Sequence, residues 1–278
     1  MPTATLHDGQ TIDLVIRGDG PVTLLLPVRP DHIEGPEADA LRAYGADPAL
    51  GRSLIDGLSD LARVVAFDYE GHLFAHPKPD TLTPRNVVAD ILAVADAAGA
   101  DRIAWYGYSW LGMIGIQLAL VTDRLIGLAV GGYPPLDGPY EELLRTTVAG
   151  YELATGARAP GSPDDPWAST SMSPDQHRQF VTLYEALQGF DERDALRRIT
   201  YPRTVIVGEE DEIDYGPVWG DVHVSIGRAV ARHREELERA GWTVHVLAGL
   251  DHMGAMQAAQ VLPILRRWSA QVSEAALA

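Results

Sequence analysis

Six short, mainly apolar runs punctuate the chain, at residues 22–26, 62–67, 102–106, 125–130, 203–207 and 243–247. Val22-Thr23-Leu24-Leu25-Leu26 is typical: it does not alternate apolar with polar, so both faces of a strand there must be buried. Stretches of helical period separate the runs. Residues 84–98 carry Val87, Val88, Ile91, Leu92, Val94 and Ala95, with Thr83 placed as N-cap and Pro84 in the first turn. Further helices are expected at 110–120, 225–240 and 253–270. Strands buried on both faces and joined by helices form a mostly parallel sheet with helices on each side, an α/β fold. Ahead of this pattern, 4–7 and 12–16 flank Asp8-Gly9 and read as a hairpin, and Gly18-Asp19-Gly20 makes a second turn.

The alternation stops between 133 and 200. Three helical stretches lie there, at 140–153, 174–187 and 192–199, and 157–173 is rich in Pro, Ser, Asp and Gly and reads as loop. The expected organisation is one core built from 1–132 and 201–278, carrying a small helical insertion at 133–200.

Composition narrows the chemistry. The 278 residues include 39 Asp and Glu against 22 Lys and Arg, a formal charge of −17. Such a surface repels phosphate backbones and anionic headgroups, so neither nucleic acid nor a membrane is an expected partner. There is no Cys, which removes disulfides, thiolate metal sites and Cys nucleophiles together. The single Lys, Lys78, stands between Pro77 and Pro79 and is expected in an exposed turn, leaving no desolvated amine for Schiff-base chemistry. No signal peptide or membrane-length apolar run is visible, so a cytoplasmic location is expected. Nothing fits a dinucleotide or P-loop pattern, and no spaced set of metal ligands occurs, so no cofactor and no metal are expected.

The chemistry-bearing segment is Ile103-Ala104-Trp105-Tyr106-Gly107-Tyr108-Ser109-Trp110-Leu111-Gly112, a strand, a sharp turn and a helix with Ser109 at the apex. A turn of this kind pushes the hydroxyl beyond the sheet edge and sets it over a helix N-terminus, whose free N–H groups can hold an oxyanion. Gly51-Arg52-Ser53 is a decoy with no buried strand before it. Two later strands end in matching chemistry. Gly208-Glu209-Glu210-Asp211 follows 203–207, and Gly249-Leu250-Asp251-His252 follows 243–247. In a parallel sheet all strand C-termini share one edge, which is where α/β sites form.

With Ser, Asp and His in that order at three strand ends, the chain resembles the α/β-hydrolase fold family, from the N-terminal hairpin through Asp68-Tyr69-Glu70-Gly71-His72 to the last helix. The resemblance implies Ser109 as nucleophile, His252 as general base and then acid, and Asp211 as the acid orienting the imidazole, with the 133–200 insertion as cap. Asp214 and then Asp137 are the fallback acids. Two departures stand out. Pro27-Val28-Arg29-Pro30 occupies the place of the usual His-Gly oxyanion loop, which leaves the Arg29 N–H as partner to the Trp110 N–H. Leu111 replaces a Gly common at the elbow and needs a pocket of its own.

A small substrate pocket is expected from Val28, Tyr108, Tyr133, Trp167, Tyr184, Trp219 and Met253, with Trp110, Tyr140 and Phe180 nearby and residues 29–50 folded over its mouth. His72, His76 and His32 are further candidates for its rim, Glu210 and Glu212 read as a solvated turn, and His245 as a structural strand residue. The main expectation is a serine hydrolase acting on an ester, lactone or related acyl bond of a small, mostly apolar molecule. The alternatives are a non-hydrolytic enzyme using the same residues for cyclisation, elimination or C–C cleavage, and a catalytically dead ligand-binding protein. Oligomeric state stays open, a homo-oligomer included.

Overall fold

Leu24 and Leu26 face one side of the central sheet and Leu25 the other, and all three are fully buried. That two-sided burial recurs along the sheet and explains why its strands lack alternation. The structure, a computed structural model, describes residues 2–162 and 172–277. Its strands in chain order are β1 (Thr3–Thr5), β2 (Thr11–Asp13), β3 (Val15–Arg17), β4 (Thr23–Leu26), β5 (Arg63–Ala66), β6 (Ile103–Tyr108), β7 (Leu125–Gly131), β8 (Arg203–Gly208), β9 (Glu212–Tyr215), β10 (Val222–Ser225) and β11 (Trp242–Leu247). Seven form the main sheet in the order β11-β8-β7-β6-β4-β5-β3. All neighbours are parallel except β3, which runs antiparallel to β5 at the edge.

One face packs Leu25, Val65, Trp105, Leu128 and Val205 against the helices Pro84–Ala97 and Trp110–Val121. The other packs Leu24, Val64, Tyr106, Ala129 and Ile206 against Leu50–Leu58 and Ala258–Leu277. Thr83 caps its helix as expected, its Oγ1 accepting the Asn86 N–H at 3.3 Å ahead of Pro84. Between β7 and β8 lie the helices Tyr140–Thr155, Pro174–Glu185 and Glu192–Arg198. No helix among the described residues is long and apolar enough to cross a membrane.

Several elements differ from the expected ones. Residues 29–50 contain the helix Gly35–Ala43, begun by Pro36. The helix expected at 225–240 is preceded by β10 and divides into Gly227–Arg232 and Arg234–Arg239. The one expected at 253–270 divides at Gln257, whose ψ of 140° leaves the helical region. Within the acidic run, Glu212 is a β9 residue rather than solvated turn: its carboxylate accepts from Ser225 at 3.2 Å and from the Arg228 N–H at 2.8 Å, and pairs with His223 at 2.9 Å.

Lys78 is the largest correction. Its side chain is 1% exposed and pairs with Asp8 of the N-terminal turn. Its N–H donates to the fully buried Gln179 of the Pro174–Glu185 helix at 3.1 Å. The flanking prolines fix the local backbone but do not decide its depth. Here the inserted helix lies over the loop, with Gln176 donating to the Phe74 carbonyl at 2.7 Å and Thr182 to the Pro79 carbonyl at 2.5 Å.

Candidate active site

Ser109 sits between β6 and the Trp110–Val121 helix with φ 56° and ψ −132°, a left-handed conformation that costs a non-glycine residue about 1–3 kcal/mol. The bend survives because its neighbours over-determine it. The Ser109 N–H donates to the Gly131 carbonyl of β7 at 2.8 Å, and the Ser109 carbonyl accepts from Gly112 at 2.8 Å and Met113 at 3.2 Å. Gly107 is required at this bend, since a Cβ there would overlap the Leu111 carbonyl. That carbonyl also accepts the indole N–H of the fully buried Trp105 at 3.1 Å. Leu111 does find a place in the core, at 5% exposure. Ser109 itself is half-buried.

His252 opens a short helix after β11, with Asp251 as its N-cap accepting the Gly254 N–H at 2.7 Å. Its Nδ1 lies 2.9 and 3.0 Å from the two carboxylate oxygens of Asp211. Asp211 follows β8, is fully buried, and its own carbonyl is held by the Ile226 and Gly227 N–H groups. A carboxylate at Nδ1 fixes the proton there and leaves Nε2 with its lone pair. Burial pushes the Asp211 carboxyl above its ordinary value, against the opposing hydrogen bond and charge of His252. Tyr108 braces the ring from the other side: its hydroxyl donates to the His252 carbonyl at 2.7 Å and the ring centroids lie 5.1 Å apart. Among the described residues no hydrogen bond joins Ser109 Oγ to His252; the two meet by lining the same cavity.

That cavity encloses about 590 Å³ and is walled by segments following β4, β5, β6 and β11. Arg29 and Trp110 both line it. The Val28 N–H is spent on the Leu26 carbonyl at 2.9 Å, whereas the N–H of Arg29 has no acceptor among the described residues. The Trp110 N–H, at the first helical position, has none within its helix. Gly51 sets the Arg29 peptide: a Cβ at Gly51 would overlap the Arg29 carbonyl, so the Leu50–Leu58 helix can pass directly over that loop only as glycine. The Arg29 side chain pairs with Glu37, at 2.5 Å, and both residues line the cavity.

Of the remaining expected pocket residues, Val28, Tyr108 and Met253 line the cavity. Tyr133 and Tyr184 do not; both are buried in the apolar core, Tyr133 against Tyr140 with ring centroids 5.9 Å apart. Trp219 stands in a single turn at Pro217–Trp219, beside Gly150, and also lies off this lining. Trp167 is outside the described residues. His72 and His76 lie with ring centroids 5.0 Å apart, tilted by 47°, and do not line the cavity, nor does His32. Ile33, Leu41 and Pro48 from 29–50 do. Asp214 pairs with His223 and Asp137 with Arg232, both at 2.6 Å, so neither fallback acid partners His252. No group of three or more His, Asp or Glu among the described residues is placed to hold a metal ion.

Glu70, Asp68 and Phe74 line the cavity as well, although none of them was expected there from the sequence. The Trp110 indole donates to Glu70 at 3.0 Å, and its ring meets Phe180 of the inserted helix at 5.5 Å. The acid run beside the strand end at 68–72 was the available signal, but it carries no mark distinguishing it from an ordinary helix start, which Asp68 also is.

Residues 27–264 match a family described as the alpha/beta hydrolase family. No curated protein sequence matches the chain. Among solved structures it is similar to a thermophilic esterase from Thermogutta terrifontis, at 18% identity over 98% of each chain and a TM-score of 0.60. It is similar to an enol-lactonase from Burkholderia xenovorans LB400, at 19% identity over 100% of each chain and a TM-score of 0.56. A carboxylesterase structure from Nitrososphaera gargenis shares 17% identity over 99% of this chain and 100% of its own, with a TM-score of 0.63. At these identities the likeness is one of fold.

Proposed function

The chain belongs to the alpha/beta hydrolase family, and from that premise we propose that it is a serine hydrolase cleaving an ester, lactone or related acyl bond of a small molecule. Ser109 Oγ attacks the acyl carbon while His252 Nε2 takes its proton. The Asp211 carboxylate holds the resulting imidazolium, and the Trp110 and Arg29 N–H groups receive the oxyanion. Collapse of the tetrahedral species expels the alcohol, which takes its proton from His252. Water, activated by the same imidazole, then releases the acid and restores Ser109.

One observation carries this reading: a hydroxyl on a left-handed elbow faces the same cavity as an imidazole whose other nitrogen is held at 2.9 Å by a fully buried carboxylate. A volume of about 590 Å³ supports a small substrate. We read the helices between β7 and β8 as a cap, supported by the contact of Phe180 with Trp110. Esterase, lactonase and carboxylesterase neighbours are compatible with this chemistry.

Fluorophosphonate labelling of the intact protein with peptide mapping tests it. The expected adduct lies on Ser109 alone, with Ser109→Ala abolishing both labelling and turnover of p-nitrophenyl esters. A label elsewhere, or turnover surviving in Ser109→Ala, would overturn the reading.

A further inference from the structure

The segment that carries His252 is anchored to one side of the sheet. Residues 249–252 are tied to the end of β8 three times: the Glu210 N–H donates to the Leu250 carbonyl at 2.9 Å, the Gly249 N–H donates to Glu209 at 3.0 Å, and His252 pairs with Asp211. Ser109 stands elsewhere, after β6, with β7 between. Proton transfer needs Ser109 Oγ and His252 Nε2 within hydrogen-bond reach, and no bond between them holds that spacing among the described residues. Among those residues one hydrogen bond joins 249–252 to the β6 elbow. It comes from Tyr108, the residue before Ser109, whose hydroxyl donates to the His252 carbonyl at 2.7 Å.

The path for that bond is built into the end of β7. The Tyr108 ring lies against Gly131 and Gly132 and meets the imidazole with centroids 5.1 Å apart and planes 60° apart. A Cβ on Gly131 would overlap the Tyr108 ring, and one on Gly132 would overlap that ring and crowd the His252 ring as well. The same two glycines are fixed to both sides of the site. The Gly131 carbonyl accepts the Ser109 N–H and the Gly132 N–H donates to the Ile206 carbonyl of β8, both at 2.8 Å. Tyr108 lines the cavity, but its one hydroxyl proton is spent on the His252 carbonyl, so it has none to offer an oxyanion. Burial, and next the negative charge of Asp211, pushes its pKa up, so this donor persists throughout the range in which the imidazole titrates. Resting on the hydrolase reading above, we propose that Tyr108 is a positioning residue, which sets the spacing of Ser109 Oγ and His252 Nε2 by tying the His252 backbone to the elbow. Asp211 fixes the tautomer of the ring, and Tyr108 fixes where the ring stands.

Tyr108→Phe keeps the ring and removes the tether. With p-nitrophenyl butyrate the variant is expected to lose roughly tenfold or more in kcat while KM stays within about twofold, because a misplaced base weakens the chemical steps and not substrate binding. Fluorophosphonate labelling of Ser109 is expected to slow by a similar factor, since it uses the same proton transfer. The acid limb of kcat/KM against pH is expected to keep its midpoint, because the Asp211–His252 pair is untouched. A merely structural hydroxyl would lower the melting temperature and leave kcat alone, so kcat within about twofold of wild type would overturn the proposal. A raised KM at unchanged kcat would assign the hydroxyl to substrate binding, and a shifted pH midpoint would assign it to the electrostatics of the Asp211–His252 pair; either overturns the positioning role. In all of these cases wild-type turnover and labelling at Ser109 leave the hydrolase reading standing. A wild-type protein showing neither would bring down both.

Discussion

At the scale of single residues, Asp211 sets function against stability. In the proposed mechanism its carboxylate must be ionised to hold His252, yet burial raises its pKa, so the folded protein binds that proton more tightly than the unfolded chain does. For an acid shifted upward the sign is fixed: its contribution to stability is full below the ordinary carboxylate range and is lost as pH rises through the elevated folded value. Asp211→Asn is therefore expected to lower kcat by roughly 10³–10⁴, through loss of the correct imidazole tautomer, while the melting temperature at neutral pH stays level or rises. Paired kinetics and calorimetry check this; a large fall in both would mean that the ion pair is a net stabiliser. A second residue-scale outcome concerns the loop carrying Arg29, the proposed oxyanion loop. Gly51→Ala must push either the Leu50–Leu58 helix or the Arg29 peptide, and is expected to reduce kcat/KM by roughly 10–100-fold. Gly57→Ala in the same helix meets only the flexible end of Leu262 and is expected to spare kcat/KM.

At the scale of elements, the five inner strands of the main sheet were legible because burial on both faces writes itself into four to seven residues with no outside help. The β9–β10 hairpin was not. His223 reaches across it to Asp214 at 2.6 Å and to Glu212 at 2.9 Å, a contact that exists only once the strands pair. The same division runs through the site. Ser109, Asp211 and His252 each follow a recognisable strand, so position along the chain already carries their placement at one edge. Glu70 acquires its setting from Trp110, forty residues on, and Tyr133 and Tyr184 leave the cavity because core packing claims them. The hairpin carries its own pH dependence. Hydrogen bonds donated by the His223 ring to Asp214 and Glu212 raise the His223 pKa, so the stability they add is full below the ordinary imidazole range and is lost as pH rises through the elevated value. Hydrogen exchange, corrected for its intrinsic pH dependence, is expected to show the Val222–Ser225 amides better protected at pH 6 than at pH 9. His223→Gln is expected to flatten that difference.

At the scale of the whole molecule, one lysine reports on how three distant parts of the chain are joined. Lys78 contacts Asp8 in the N-terminal turn through its ammonium and Gln179 in the inserted helix through its N–H, so it lies where hairpin, core loop and insertion converge. Asp8, although burial alone would raise its pKa, is held below its ordinary value by Lys78 and by the Gln10 N–H. A depressed acid contributes stability above the ordinary carboxylate range and loses it as pH falls through the folded value, so this joint weakens in acid. Asp8→Asn leaves the enclosed ammonium without its counter-charge. Breaking a buried pair costs about 3–5 kcal/mol, and because Asp8 keeps some contact with solvent the expected loss is toward the lower end. Replacing both members, as Asp8→Asn with Lys78→Met, removes the stranded charge and is expected to recover most of that loss. As the chain's sole lysine, Lys78 also gives a direct chemical readout. Brief treatment of the native protein with an amine-acylating reagent, followed by peptide mapping, is expected to leave Lys78 unmodified, and to modify it once denaturant crosses the unfolding midpoint. In Asp8→Asn it is expected to become reactive well before that midpoint, because the joint opens locally. Native Lys78 reacting as fast as a free amine would show that the insertion is not pinned to the core at this seam, and the contact of Phe180 with Trp110 over the cavity would then lose its anchor.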